Sequence, residues 1–265
     1  MCGLNTLRDF WRLRNMILSL AINDFKMRYA GSYFGMIWAF VQPIMTIVVF
    51  WFVFEVGFRA ASVSSVPFIL WFSSGLIPWF FFSEAWGSAT NSYIEYMYLV
   101  KKVVFRISVL PLIKVLSAFL VHVVFVLFLM GMFLYYGLTP NVYWLQLIYY
   151  VFCLTALVLG LSFFTASITP FFRDTAQVIN IILQFGMWLT PIMWDYKMIP
   201  AEYHWLFPLN PVFYIVSGFR DSLIDHVWFW DKPGMFLLFW GMVLVFSAWG
   251  IYVFKKAKPY FADVL

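Results

Sequence analysis

Charged residues along this chain are separated by long apolar stretches, which are typical of membrane-spanning helices. The longest stretch lies between Lys114 and Arg173, and it contains no Asp, Glu, Lys or Arg. One spanning helix needs ~20 apolar residues. The stretch is therefore long enough for two helices, with a turn over residues 135–141. The chain is predicted to cross the membrane there and to return at once.

The other charge-free windows predict further helices of the same kind. In all, six spans are predicted, at about 34–57, 66–90, 110–135, 143–169, 176–195 and 233–254. The composition agrees, because 64% of the residues are hydrophobic and 11% are charged, whereas roughly 25% are charged in an ordinary soluble domain. The predicted fold is an all-α membrane protein that forms a single transmembrane domain over residues 1–265.

An even number of spans places both termini on the same side of the membrane. Cytoplasmic segments carry an excess of Lys and Arg, and most of the 17 such residues lie in the segments that share a side with the termini. The opposite segments hold only Arg59, Lys197, Arg220 and Lys232. Both termini are therefore predicted to be cytoplasmic.

Residues 1–30 have an amphipathic pattern without a sustained apolar core. Polar residues such as Arg8, Arg12 and Asn15 recur at helical spacing, with Trp11 and Leu18 on the other face. This pattern favours a helix that lies in the inner membrane interface. The alternative is an ordinary positively charged flank of the first span.

The segment after the second span is predicted to form a short helix over about residues 93–104. Ser92 and Glu95 have the spacing of a capping box, in which each side chain satisfies a free backbone N–H of the other residue. The segment mixes charged and apolar side chains and resembles a docking surface for another protein. A solvated loop is the alternative. Its candidate contact residues are Glu95, Tyr96, Val100, Lys101 and Lys102.

The outer segment before the last span is too long for a simple turn and too broken for another span. Pro208 and Pro211 interrupt its uncharged part. A re-entrant helical hairpin over about residues 198–230 fits better. Irregular backbone at membrane depth must be surrounded by protein or must line a water-filled cavity.

Catalytic and cofactor motifs are largely missing from the sequence. There is no glycine-rich phosphate loop, so any ATP that drives this protein is expected to bind another chain. No metal-ligand cluster occurs, and the basic residues flank apolar spans, which argues against nucleic acid. His226 and Asp231 match a spacing found in some acyltransferases, and we interpret this match as chance. His122, Glu55 and Glu84 are too few for a proton relay.

Aromatic residues make up 23% of the chain. Several recur along the second span, and Trp79, Phe82 and Trp86 are candidates for lining a path for sugars, because aromatic faces contact the C–H faces of sugar rings well. The alternative for each of them is packing or contact with lipid.

A set of short motifs gives the chain a family likeness. They are Asp24–Tyr29 (DFKMRY), Gly35–Pro43 (GMIWAFVQP), Gly75–Trp79 (GLIPW), Thr190–Trp194 (TPIMW), Leu209–Pro211 (LNP) and Gly218–Asp221 (GFRD). With the predicted helices in this order, the chain resembles the ABC-2 export permeases. The likeness is greatest to the branch that exports lipid-linked surface polysaccharides, namely O antigen, teichoic acid and capsule.

The resemblance implies a multi-pass protein of the bacterial cytoplasmic membrane. Its partners would be a second copy of itself, two copies of an ATPase subunit that binds ATP and Mg²⁺, and a lipid-linked polysaccharide, most readily O antigen. Residues 93–104 would be the coupling helix that seats in the ATPase, with the loop around Arg173 nearby. From charge and position alone, Lys26 and Arg28 are candidates for meeting an anionic lipid headgroup at the inner gate. Four alternatives remain: teichoic acid or capsule export, drug or small-lipid export, a membrane-bound acyl- or glycosyltransferase, and a proton-coupled carrier.

Overall fold

The computed structural model describes residues 4–58, 66–100 and 107–264, and these parts of the chain are helical, with no β-strand among them. Side chains are described from residue 14 onward, apart from those at 99, 100, 262 and 263. In chain order the α-helices are α1 (Leu4–Arg28), α2 (Trp38–Trp51), α3 (Phe68–Thr90), α4 (Ser92–Glu95), α5 (Met97–Val100), α6 (Leu110–Tyr135), α7 (Gln146–Ile168), α8 (Thr175–Leu189), α9 (Pro211–Arg220), α10 (Pro233–Ala257) and α11 (Phe261–Val264).

Five helical stretches in the described part of the chain are long and apolar enough to cross a membrane. They are Gly35–Gly57, Phe68–Thr90, Ile107–Tyr135, Val142–Ile168 and Pro233–Tyr260. The first of them joins a 3-10 turn, α2 and a π-helical end, Phe52–Gly57. The prediction of an all-helical membrane protein is confirmed.

The prediction of six full-length spans is confirmed only in part, because the fifth is short. It is α8, with 15 residues, which at 1.5 Å per residue is about 22 Å long, against a hydrocarbon core of about 30 Å. Thr190 ends the helix in an extended conformation (φ −83°, ψ 127°) because Pro191 follows it, and a residue before proline is disfavoured in the α region. The helix thus ends at Leu189, before the predicted end of the span at about residue 195.

Helix α3 is the centre of the bundle. In the apolar stretch of α3, 78% of the residues are buried, compared with 11% in the first spanning stretch and 17% in the last. Helices α6, α7, α8 and α9 all pack against α3. Its neighbours therefore build the core, while α2 and α10 leave most of their surface for lipid or for another chain.

Small residues let α7 and α10 approach closely. A Cβ atom at Gly160 would lie 2.8 Å from Ser247 Oγ, and one at Gly250 would lie 2.8 Å from the Gly160 carbonyl oxygen. Close backbone contact at small residues is a common way for helices to associate in membranes, where water does not drive them together.

Both ends of the chain meet at one end of the bundle. Ile17 and Ala21 of α1, Tyr93 of α4 and Phe261 of α11 share one buried cluster with the start of α6. The Tyr93 and Phe261 rings lie 4.9 Å apart. The predicted interface helix therefore packs on the bundle through one face.

The segment between α8 and α10 contains several short helices at the opposite end of the bundle, two of which Asn210 connects. The first is the 3-10 helix Ala201–Leu209, which has no buried residue, and the second is α9, which is almost wholly buried. Asn210 connects them: its side chain accepts a hydrogen bond from Val212 N (3.0 Å) and donates one to Thr190 Oγ1 (2.8 Å).

Candidate functional site

Charged side chains converge where α1, α3, α4 and α6 meet, at the end of the bundle that holds both chain ends. Lys114 Nζ lies 2.7 Å from Asp24 Oδ1 and 2.5 Å from Glu95 Oε2. Arg28 contacts both Asp24 and Glu84. We call these five residues the charge cluster. It connects α1, the end of α3 and the start of the predicted docking segment to α6.

Lys114 is the centre of the charge cluster. Its side chain is 8% exposed and that of Asp24 is 5% exposed, so each needs the other to offset the cost of burial. Glu95 is about half exposed (48%). A displacement of Glu95 therefore acts directly on a buried cation in α6 and, through that cation, on α1.

Tyr96 adds a hydrogen bond to the charge cluster, since its hydroxyl donates to Asp24 Oδ1 at 2.5 Å. Burial raises the pKa of Asp24, but the hydrogen bonds from Lys114 and Tyr96 outweigh burial, and the pKa lies below the ordinary 3.8. The ionised carboxylate therefore contributes stability above pH 3.8, and this contribution is lost as the pH falls through the lowered pKa. Burial, followed by the charge of Asp24, raises the pKa of Tyr96.

The predicted docking segment is helical but broken. Helices α4 and α5 are separated at Tyr96, whose φ and ψ are −101° and 27°. The predicted capping box is wrong: Asn91 is the N-cap residue without a side-chain cap, and Ser92 Oγ is buried without a partner among the described residues. Glu95 turns instead to Lys114, a stronger partner than a backbone N–H. Lys101 and Lys102 lie outside the described residues, as does the side chain of Val100.

Arg173 lies in the exposed loop between α7 and α8. In the same loop, the Phe171 ring is 6.1 Å from Phe261, which in turn contacts Tyr93 of α4. The loop and the docking segment therefore lie at the same end of the bundle, although Arg173 does not belong to the charge cluster.

The two predicted headgroup ligands differ in their surroundings. Arg28 is held between the carboxylates of Asp24 and Glu84, so its charge is already balanced. Lys26 is exposed. Arg28 and the rest of the charge cluster line a cavity of about 600 Å³ together with Asn23, Ser88, Tyr96 and Tyr98, and Lys26 is not among its lining residues.

Trp79, Phe82 and Trp86 lie inside the core of this chain, between 4% and 7% exposed. Helix α8 covers them, and Gly186 allows the close contact, since a Cβ atom there would lie 3.0 Å from Trp79 Cη2. The three rings line a cavity of about 210 Å³ together with residues of α8 and α9. A substrate could reach them only after α8 has moved, and their role in a channel stays a prediction.

Helix α8 carries a polar stripe that sequence reasoning missed. Gln177, Asn180 and Gln184 are exposed and lie three and four residues apart, on one face of the helix, with Trp188 one turn further on. None of the three amides has a hydrogen-bond partner among the described residues. Unpaired amides are costly in hydrocarbon, so this face is suited to water or to another protein chain. The regular spacing of these amides within an uncharged stretch of sequence could have predicted the stripe.

At the opposite end, three of the motifs that carry the family likeness meet. Arg220 donates hydrogen bonds to the carbonyl oxygens of Pro191 (2.8 Å) and Ile192 (2.9 Å), and its guanidinium lies 3.5 Å from the centre of the Trp71 ring. Gly75 makes room for it, because a Cβ atom there would lie 3.0 Å from Arg220 Nη2. Arg220 therefore holds α9, the turn after α8 and the start of α3 together.

His226 and Asp231 do not form a catalytic pair. Asp231 Oδ2 accepts a hydrogen bond from Trp228 N (3.2 Å) at the start of a short helix, and the His226 ring lies against Tyr143. Among the described residues there is also no group of His, Cys, Asp and Glu that could hold a metal ion.

The chain is similar to known proteins over nearly its whole length. The model of the ABC-2 type transporter family matches residues 16–224. Two O-antigen export system permease proteins (RfbA) of Klebsiella pneumoniae are each 26% identical, over 263 and 262 residues, with 96% of both chains covered. A protein of the same name from Myxococcus xanthus is 26% identical over 260 residues, with 97% of both chains covered.

Proposed function

The chain belongs to the ABC-2 type transporter family, and from that membership we propose that it is the membrane-spanning permease of an ATP-driven exporter of a lipid-linked surface polysaccharide, most readily O antigen. The observation that carries the proposal is the end-to-end similarity to proteins named for O-antigen export. The chain itself performs no hydrolysis. ATP and Mg²⁺ are bound by a separate ATPase subunit, of which the exporter holds two copies.

The permease crosses the bacterial cytoplasmic membrane six times, with both termini in the cytoplasm. Five crossings alone would place the chain ends on opposite sides, whereas α1 and α11 share one cluster with α4. The remaining crossing, which is the fifth in chain order, is α8. It is completed by the turn at Pro191 and Ile192 beside Trp71. The predominance of Lys and Arg near the shared end supports its cytoplasmic position. The segment around α9 is re-entrant at the outer side.

Residues 93–104 couple the permease to the ATPase. Met97 and Tyr98 are 39% and 60% exposed. Exposed apolar side chains of this kind are typical of surfaces that bind another protein. Just before them, Glu95 and Tyr96 connect to the charge cluster. ATP-driven movement of the ATPase therefore reaches α1 and α6 through Lys114. Arg173, in the neighbouring loop, contributes to the same docking surface.

Export takes place between two copies of the chain. The exposed faces of α2 and α8, with the amide stripe of α8, form a polar and aromatic wall of the path between the two copies. In a single copy this wall would face lipid, where unpaired amides are costly. Trp79, Phe82 and Trp86 join that wall when α8 moves. Lys26, exposed on α1, meets the anionic headgroup of the cargo, and Arg28 does so only when its ion pair with Glu84 breaks.

Reversing two charges in the coupling segment, Lys101→Glu with Lys102→Glu, is expected to abolish glycan export while the protein still inserts in the membrane. Val100→Asp is expected to have the same effect, because an apolar contact with the ATPase would be replaced by a buried charge. Co-purification of the ATPase subunit and the amount of glycan at the cell surface are the two measurements.

The matched control for this experiment is Lys255→Glu with Lys256→Glu, which reverses two exposed charges at the end of α10. This control is expected to retain both the ATPase and export. If the coupling variants retained the ATPase as well as the control does, the docking role of residues 93–104 would be refuted.

A further inference from the structure

A second, smaller cavity lies between α2, α3 and α6, with a volume of about 190 Å³. It shares Arg28 and Glu84 with the larger cavity at the charge cluster. It therefore opens toward the end of the bundle where the chain termini and the coupling segment lie. Its further polar lining residues are the exposed Gln42, the half-buried Thr46 and Ser83, and the buried His122.

His122 has hydrogen-bonding groups that the protein leaves unused. The residue is 3% exposed, and neither ring nitrogen has a partner among the described residues. Its ring stacks on Phe81, with 4.7 Å between the ring centres. A neutral imidazole offers one donor and one acceptor, and buried polar groups are ordinarily paired. Because both nitrogens are covered, a ligand in the cavity that His122 lines can supply their partners only when the ring turns toward that space.

The other polar groups of the cavity are also neutral. The Thr46 hydroxyl donates to the Gln42 carbonyl oxygen at 2.9 Å, and the Ser83 hydroxyl donates to Phe80 O at 3.1 Å, which leaves both hydroxyl oxygens free to accept. The Gln42 carboxamide has no partner among the described residues. At the mouth, Arg28 and Glu84 neutralise each other. An anionic ligand would lack an unpaired cation here, so the lining favours a neutral ligand with several hydroxyl groups.

Aromatic side chains form part of the remaining walls, beside aliphatic ones such as Ile77 and Val121. Phe80, Phe81, Phe125 and Trp38 border the same space, and ring faces pack well against the C–H groups of a sugar ring. Sites for drug-sized ligands usually measure about 300–1,000 Å³, so this smaller space suits a single ring. A combination of neutral hydrogen-bonding groups and ring faces is the chemistry that recognises carbohydrate.

We propose that this cavity binds one sugar residue, with His122 and Gln42 as its hydrogen-bonding residues. The identification of the sugar as part of the cargo rests on the proposed export function. The sugar enters past the Arg28–Glu84 pair, and its hydroxyl groups supply the partners that His122 lacks. The cavity thereby holds the end of a glycan beside the charge cluster before transport.

The test uses D-galactose at millimolar concentration as the probe, with the full chain in lipid nanodiscs and saturation-transfer NMR as the readout. We expect saturation transfer to the sugar in the unaltered protein. His122→Phe keeps an aromatic ring against Phe81 but removes both ring nitrogens. It is expected to weaken galactose binding about tenfold, since buried hydroxyl groups of the sugar lose their hydrogen-bond partners. Gln42→Leu is expected to weaken binding in the same direction.

Thr155→Val is the control, because the Thr155 hydroxyl bonds only within its own helix, at Val151 O. The proposal is overturned if the unaltered protein gives no saturation transfer, which would indicate a cavity filled with water only. It is also overturned if His122→Phe and Gln42→Leu bind galactose as well as Thr155→Val does. Glycan export is measured in parallel: a chain that exports no glycan refutes the proposed function, whereas a chain that exports glycan without binding galactose refutes the cavity proposal alone.

Discussion

Lys114→Met is expected to lower the free energy of unfolding by about 3–5 kcal/mol, because it leaves a buried carboxylate without its cation. Asp24 would keep the Tyr96 hydroxyl at 2.5 Å and Arg28 at 3.5 Å, and neither replaces a contact of 2.7 Å with an ammonium group. Glycan export is expected to fall more steeply than stability, since the connection from Glu95 to α6 is lost as well. Thermal unfolding in detergent and glycan at the cell surface are the measurements.

Two further variants separate charge from packing at this position. Lys114→Arg keeps the cation and is expected to retain most of the stability. Asp24→Asn combined with Lys114→Met removes both buried charges and is expected to recover stability, because a neutral pair costs less to bury than one unpaired charge. Export is not expected to return in the double variant, because Glu95 still lacks its partner. Full export by Lys114→Met alone would show that the charge cluster does not transmit movement.

Gly218→Ala is expected to prevent stable folding of the bundle. A Cβ atom at this position would lie 2.0 Å from Tyr150 Cε1 and 2.2 Å from Tyr150 Cζ. Tyr150 is 1% exposed, so its ring could yield only by displacing neighbouring core side chains. Overpacking of a core costs about 1–3 kcal/mol or more, and here the shift would separate α9 from α7. The fraction of protein that remains monodisperse after detergent extraction is the measurement.

Gly241→Ala is the matched control, since a Cβ atom there meets nothing within 4 Å. It is expected to leave stability unchanged or to raise it slightly, because alanine is the better helix former. Tyr150→Leu combined with Gly218→Ala is expected to recover part of the extracted protein. Equal yields from Gly218→Ala and Gly241→Ala would contradict the close packing of α9 on α7.

Sequence reasoning succeeded where a single physical rule dominates. Charge-free windows predicted the long helices because hydrocarbon excludes charge, and the ordered motifs predicted the ABC-2 family correctly. It did not foresee that α8 ends before Pro191, inside an apolar window. The capping box predicted at Ser92 was wrong. Glu95 pairs with Lys114, which is distant in sequence, and only the tertiary structure shows that this lysine, and not the backbone N–H of Ser92, is its partner.

The candidate site was predicted less completely than the fold. Glu95 and Tyr96 lie in the docking segment that the spacing predicted, but their link to Asp24 and Lys114 joins residues far apart in the chain. Nor can composition show which aromatic residues are buried, and Trp79 proves to be covered by α8. The amides of α8 were detectable from their spacing, and they give a polar face that an apolar window concealed.

The location of the lipid-linked glycan in cells that lack this chain tests the export function most directly. Lectin binding to spheroplasts reports glycan on the outer face of the cytoplasmic membrane, and lectin binding to inside-out vesicles reports glycan on the inner face. Without the chain, we expect glycan only in the inside-out vesicles, and its return to the outer face when the chain is supplied again. Glycan that reached the outer face at the normal level without the chain would contradict the proposed function.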